Sequence, residues 1–248
     1  MTGSNWYWIL LIGGAVGFLG GLFGKGGSAV ATPILAAIGV PPFVAVAAPL
    51  PATVPSTLVA SWAYWRERLI DWQVLRWSVG VGVPATVLGA LASVWVGGEG
   101  LVTITDLVVA ALGLKFLIRP SEPHPAGELH EHDVKRIVAV AVITGVTAGL
   151  LANSGGFLLA PLYLAVLKLD VKRSFACSLA VSAVLAVPGT ITHAALGHID
   201  WAVVAVFGAA SIPLSYVGAR VAIRADSTVL ERIYGGVLAA LGIGLLVF

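Results

Sequence analysis

Charge is almost absent from long stretches of this chain, and that feature excludes most of the folds open to 248 residues. The run 77–96 contains no Asp, Glu, Lys or Arg, and neither does 233–248. Overall 58% of the residues are hydrophobic and only 10% are charged, with a mean hydropathy of +0.99. A soluble domain carries about 25% charged residues, so this chain could not cover its own surface in water. Apolar runs separated by short polar breaks are the pattern of a helical bilayer protein. Helices are expected because a spanning segment must satisfy its own backbone groups.

Other classes fall away on the same evidence. The net charge is +2 and the basic residues fall at helix ends, with no basic patch interleaved with aromatics, so nucleic acid is not expected as a partner. The single cysteine, Cys177, excludes an internal disulfide and any multi-cysteine metal site; between Ala176 and Ser178 it reads as a small packing residue. The first residues lack the basic region of a secretory signal, so Trp6 onward reads as a retained first span. Small residues, 30 glycines among them, suit helix contacts in lipid, where close approach replaces the hydrophobic effect.

The chain repeats itself. Gly21-Leu22 returns as Gly149-Leu150, Gly27 as Gly155 and Pro33 as Pro161, all 128 residues apart. Ile70-Asp71-Trp72 returns as Ile199-Asp200-Trp201, Pro84 as Pro213, Gly89 as Gly218, and 110–113 as 239–242, now 129 apart. A drift of one residue over about a hundred is what a duplication leaves.

Each half divides into five apolar segments, 6–23, 28–40, 43–65, 72–96 and 103–118 against 135–152, 156–168, 171–195, 201–222 and 228–247. The expected domains are a first membrane repeat over 1–118, a polar linker over 119–134 and a second repeat over 135–248. The second segment of each half is about 20 Å long at 1.5 Å per residue, short of a hydrocarbon core of about 30 Å. Segments one and two then form a re-entrant hairpin with its tip inside the membrane, two full spans being the alternative.

Charge sets the orientation. With the linker in the cytoplasm, Arg66, Arg68, Arg76, Lys115, Arg119, Lys135 and Arg136 fall on the cytoplasmic side. So do Lys168, Lys172, Arg173, Arg220, Arg224 and Arg232, while the other side receives Glu99, Asp106 and Asp200 and no basic residue. This obeys the positive-inside rule and puts both termini outside. Five segments per half is an odd number, so the halves enter the membrane in opposite senses. Inverted repeats of this kind build transporters with a site near the midplane.

The two tips carry the most information. Lys25-Gly26-Gly27-Ser28 and Asn153-Ser154-Gly155-Gly156 interrupt apolar sequence at matching repeat positions, and each opens a short helix that is expected to run to a proline, Pro33 or Pro161. A helix start offers unpaired N–H donors and a partial positive charge, which together attract anions. Lys25 supplies a full compensating charge, and Ser28, Asn153 and Ser154 can orient oxygens. The plainer reading, glycines for packing and Lys25 reaching to water, stands beside it, although an ionisable residue inside a membrane segment is a functional hypothesis by default.

The third segments carry hydroxyls beside prolines: Thr53, Ser56 and Thr57 near Pro55, and Ser178, Ser182, Thr190 and Thr192 near Pro188. They either face a substrate path or bond neighbouring helices and the carbonyls that proline sets free. Histidine's unperturbed pKa lies near neutrality, so His193 is a candidate proton carrier, or else an interfacial hydrogen-bonding residue. His124, Glu128, His130, Glu131 and His132 crowd the linker and read as solvated rather than metal-bound. No Walker loop, nucleophile elbow or zinc-protease motif occurs, so neither a cofactor nor enzymatic chemistry is expected.

At Gly21-Leu22-Phe23-Gly24-Lys25-Gly26-Gly27 with Pro33, at Pro49-Leu50-Pro51-Ala52-Thr53, at 149–156 with Pro161 and at 197–201, the sequence resembles the TauE/SafE family of sulfite exporters. The resemblance covers nearly the whole chain. It implies a duplicated membrane fold in the bacterial cell membrane and export of small sulfur-containing anions such as sulfite or organosulfonates. Lys25 and Asn153-Ser154 depart from the commoner glycine-only tips. An anion channel, or a carrier of a carboxylate or another oxyanion, would use the same parts; a membrane enzyme or sensor would need groups not found here. The expected partners are a small anion and the lipid bilayer, with a homodimer left open.

Overall fold

The computed structural model describes residues 3–24, 31, 35, 44, 49–92, 114, 118, 133–150, 155–195, 197 and 199–247; for 3–5, 133, 192, 193, 238 and 241–247 it describes the backbone alone. These residues form eight helices and no strand: α1 (Gly3–Phe23), α2 (Pro49–Arg66), α3 (Trp72–Ala92), α4 (Asp133–Leu150), α5 (Gly156–Ala165), α6 (Val171–Ala195), α7 (Trp201–Arg224) and α8 (Ser227–Val247). Among the described residues four stretches are long and apolar enough to cross a membrane: Trp6–Phe23, Trp72–Ala92, Val171–Ile191 and Trp201–Arg224. The described residues are all-helical, and the chain is a multi-pass membrane protein. Most of 28–40, 103–118 and the linker 119–134 lie outside the described residues.

Two helix pairs form the frame, α1 with α7 and α3 with α4. Both pairs lock through glycine. A methyl group on Gly17 or Gly21 would strike the backbone of Ser211 or Ser215, and one on Gly218 would strike Phe18. In the other pair a methyl on Gly145 or Gly149 would strike Gly82 or Thr86, and one on Gly89 would strike Val146. Each contact of the second set lies 128 or 129 residues from its counterpart in the first. In lipid this close approach is what binds helices, through van der Waals contact between backbones. Contacts rise together along both chains in each pair, so α1 runs parallel to α7 and α4 parallel to α3.

Both α3 and α7 begin on an aspartate. Asp71 Oδ1 accepts from the N–H groups of Gln73 and Val74, at 2.9 and 3.1 Å, and Asp200 Oδ1 accepts from those of Ala202 and Val203, at 2.9 and 3.2 Å. Such a cap satisfies orphan donors of the first turn and contributes about 1 kcal/mol.

The connections α2–α3, α5–α6 and α7–α8 share one end of the bundle. The Arg220 guanidinium sits 3.6 Å from Glu67. The Lys172 ammonium donates to the Ile223 carbonyl at 2.9 Å, and the Asp71 N–H donates to Cys177 Sγ at 3.3 Å. Phe23, Phe175 and Tyr234 stack between α1, α6 and α8 near this end, with ring centres 4.9–6.4 Å apart. Exposed Trp62, Trp65, Trp72 and Trp77 ring the same end, while Tyr7, Trp8 and Trp201 are exposed at the other. Aromatic residues at two levels are the girdles of a membrane protein.

Candidate functional site

α6 is the hub. Of its apolar window 61% is buried, against 33–44% in the other three long spans, and α2, α3 and α5 all pack on it. Both breaks meet it. Gly24 ends α1 in the left-handed conformation (φ 66°), with its α-carbon so close to Phe175 that a methyl there would overlap the Phe175 backbone. Gly155 opens α5, also left-handed at φ 67°, and the Ser178 hydroxyl donates to the Gly156 carbonyl at 3.3 Å. Phe175 and Ser178 are one turn apart, an axial rise of about 4.5 Å.

Gly155 supplies no side chain to cap α5. Its carbonyl accepts from Leu158 and Leu159 at 3.1 and 3.2 Å, while the N–H groups of Gly156 and Phe157 belong to the first turn and have no partner within the helix. Beside them runs a stripe of α6. Ser178, Ser182 and Leu185 are spaced for one helix face, and Leu185 approaches within 3.5 Å of where a Cβ on Gly155 would stand. Ser182 is fully buried, and its hydroxyl has no hydrogen-bond partner among the described residues. An unpaired buried hydroxyl costs about 1–3 kcal/mol, so this atom is where the site holds unused capacity.

The hydroxyls of α2 are used differently. Thr53 donates to the Pro49 carbonyl at 2.8 Å, Ser56 to Ala52 at 2.7 Å and Thr57 to Thr53 at 2.7 Å. Ser56 Oγ also lies 3.1 Å from Ser211 Oγ of α7, and the Ser215 hydroxyl donates to the Ser56 carbonyl at 2.8 Å. With Gly17, Gly20 and Gly21 these residues line a crevice of about 20 Å³. That is room for one water molecule and too little for an oxyanion.

The sequence expectation that such hydroxyls serve carbonyls freed by proline does not hold in α2. Pro55 frees the carbonyl of Pro51, which a hydroxyl three or four residues on could reach only from position 54 or 55. Thr53, Ser56 and Thr57 bond other carbonyls instead. α5 runs through Pro161 to Ala165, inside the expected segment 156–168: the ring fixes a helical φ and costs one hydrogen bond, while nearly every side chain of α5 is buried.

Gly155, Gly156, Ser178 and Ser182 thus come together, and Thr53, Ser56 and Thr57 form a second group. Leu179, the neighbour of Ser178, lines the crevice, so adjoining faces of α6 touch both groups. Lys25, Gly26, Gly27, Ser28, Asn153, Ser154 and Pro33 lie outside the described residues, as does the side chain of His193, whose backbone is in the last turn of α6. So do the linker residues His124, Glu128, His130, Glu131 and His132. Sequence reasoning missed Ser211 and Ser215. The repeat offers one signal for them, since they stand 129 residues from Gly82 and Thr86, the partners of the equivalent glycines. No cluster of metal-ligating side chains occurs among the described residues.

The sequence profile described as "Sulfite exporter TauE/SafE" matches residues 9–245. The chain belongs to the TauE/SafE family. A "Probable membrane transporter protein" of Xylella fastidiosa is 28% identical over 93% of this chain and 91% of its own length. The Bacillus subtilis "Probable membrane transporter protein YjnA" is 23% identical over 96% of this chain and 98% of its own. One from Methanocaldococcus jannaschii, MJ0441, is 26% identical over 75% and 71%. No solved structure matches the chain. As a TauE/SafE protein this chain is a membrane transporter.

Proposed function

We propose that this transporter is a secondary exporter of a small sulfur-containing anion, sulfite or an organosulfonate. The anion is held near the midplane, between the start of α5 and the Ser178–Ser182 face of α6. The free N–H groups of Gly156 and Phe157 and the unpaired Ser182 hydroxyl donate to its oxygens, with Asn153 and Ser154 beside them. Lys25, the residue after Gly24, supplies the counter-charge, and Gly26, Gly27 and Ser28 complete the first break. The observation that carries this reading is the fully buried Ser182 hydroxyl, without a partner among the described residues, beside a helix start to which Gly155 supplies no side-chain cap.

The architecture we propose is a pair of inverted repeats, 1–118 and 135–248, joined by a cytoplasmic linker over 119–134, with both termini outside the bacterial inner membrane. Three observations support it. α3 starts at the end of the bundle where α7 finishes, so α1 and α4, parallel to α7 and α3, run in opposite senses. The glycine contacts of the two pairs correspond at the repeat offset. The shared end of the bundle carries Arg66, Arg68, Lys168, Lys172, Arg220 and Arg224, which fits a cytoplasmic face. α5, about 15 Å long, runs from the break back toward that end, which supports a re-entrant hairpin.

The test is a thermal-shift series on purified protein with sulfite, sulfoacetate, thiosulfate, sulfate, and acetate as the carboxylate control. A ligand that binds only the folded state raises its melting temperature. Stabilisation by sulfite or sulfoacetate well above that by acetate is the expected result, and equal or absent stabilisation across the series would sink the assignment.

A further inference from the structure

A groove of about 820 Å³ opens between α2 and α3 on the outer surface, with α6 as its floor. Its mouth is at the basic end of the bundle, where Trp62, Trp65 and Trp72 are each about half exposed. From Trp72 it runs inward to Gly80, about 12 Å at the helical rise, over Leu58 and Val184. The walls are apolar except for buried Ser61 of α2 and, near the mouth, exposed Arg76 of α3. The acidic residues nearest in sequence are engaged elsewhere, Glu67 against Arg220 and Asp71 as the cap of α3. Arg66 lies over the Trp62 ring, its guanidinium carbon 5.3 Å from the ring centre. Arg76 has no acidic partner among the described residues.

We propose that this groove binds an anionic phospholipid of the leaflet at the basic end, its phosphate on Arg76 and one acyl chain lying over Gly80 and Val184. The charge is complementary, since an arginine without a carboxylate stands where a headgroup would sit. The depth is complementary too: aromatic rings mark the interface, and the groove continues from them into the apolar zone. The channel is open at Gly80, where a Cβ built on the backbone meets nothing within 4 Å. This proposal is independent of the anion site on α6.

The experiment is native mass spectrometry of the delipidated protein titrated with phosphatidylglycerol, phosphatidylcholine or glycerol phosphate, alongside Arg76→Gln and Gly80→Phe. The parent should hold one phosphatidylglycerol about fivefold more tightly than phosphatidylcholine, the gain of roughly one basic residue at an anionic surface, and should not retain glycerol phosphate. Arg76→Gln should abolish that preference, and Gly80→Phe should lose the bound lipid. Equal lipid retention by the parent and both variants would overturn the site. So would a loss of dimer in Gly80→Phe with lipid retention unchanged, which would give the groove to a second copy of the chain. If Gly80→Phe yields no folded protein, the exposed Arg76→Gln decides alone.

Discussion

Helices α2 and α6 pack against each other at the centre of the bundle, and each carries a proline and a row of buried hydroxyls, Pro55 with Thr53, Ser56 and Thr57, Pro188 with Ser178 and Ser182. In α2 each of these hydroxyls bonds its own helix, and Ser56 also meets α7. In α6 one hydroxyl reaches across to the start of a broken helix and the next has no partner among the described residues. Composition is the same and the assignment differs. What distinguishes the two rows among the described residues is that the α6 row faces the start of α5, where Gly155 supplies no side-chain cap.

The largest effect expected from this contrast is on folding. Ser56→Leu forces a longer side chain between α2 and Ser211, and overpacking of that kind costs about 1–3 kcal/mol. A melting curve in detergent should fall by several degrees; an unchanged curve would mean that the α2–α7 contact is loose. Next comes Ser182→Ala, which removes a buried hydroxyl without a partner among the described residues and so should raise stability by about 1 kcal/mol. The same variant should weaken sulfite binding roughly three- to tenfold, the worth of one hydrogen bond of about 0.5–1.5 kcal/mol. Calorimetry showing lower stability with unchanged affinity would make Ser182 a scaffold residue after all. Smallest is Ser56→Ala, where loss of an interhelical hydrogen bond in a membrane protein costs about 0.6 kcal/mol. Its sulfite affinity should match the parent, and a tenfold loss would bring the crevice of α2 into the site.

The frame of the molecule was legible before any coordinates. The expected segment 171–195 coincides with α6, and 201–222 falls two residues short of α7. Polar breaks in an apolar chain are sharp boundaries, because a charged residue inside hydrocarbon is costly. The repeated Ile-Asp-Trp holds both aspartate caps, a role that the repeat alone did not assign. Of the candidate site, the proximity of the second break to Ser178 is what the structure shows, through the Ser178–Gly156 hydrogen bond. Ser211 and Ser215 were not legible, because a single serine in an apolar helix breaks no periodicity and its role depends on the helix opposite. The expected segment 156–168 already ran past Pro161, as α5 does to Ala165.

The account rests on an anion held at the breaks, with Lys25 as its counter-charge. The direct measurement is sulfite affinity by calorimetry for the parent, Lys25→Met and Ser56→Ala in one detergent. Lys25→Met should remain folded and lose at least tenfold in affinity, as loss of a charged partner costs about 1.5–3 kcal/mol, while Ser56→Ala binds like the parent. Should Lys25→Met bind sulfite as tightly as the parent, the counter-charge lies elsewhere and the site proposed on α6 is wrong.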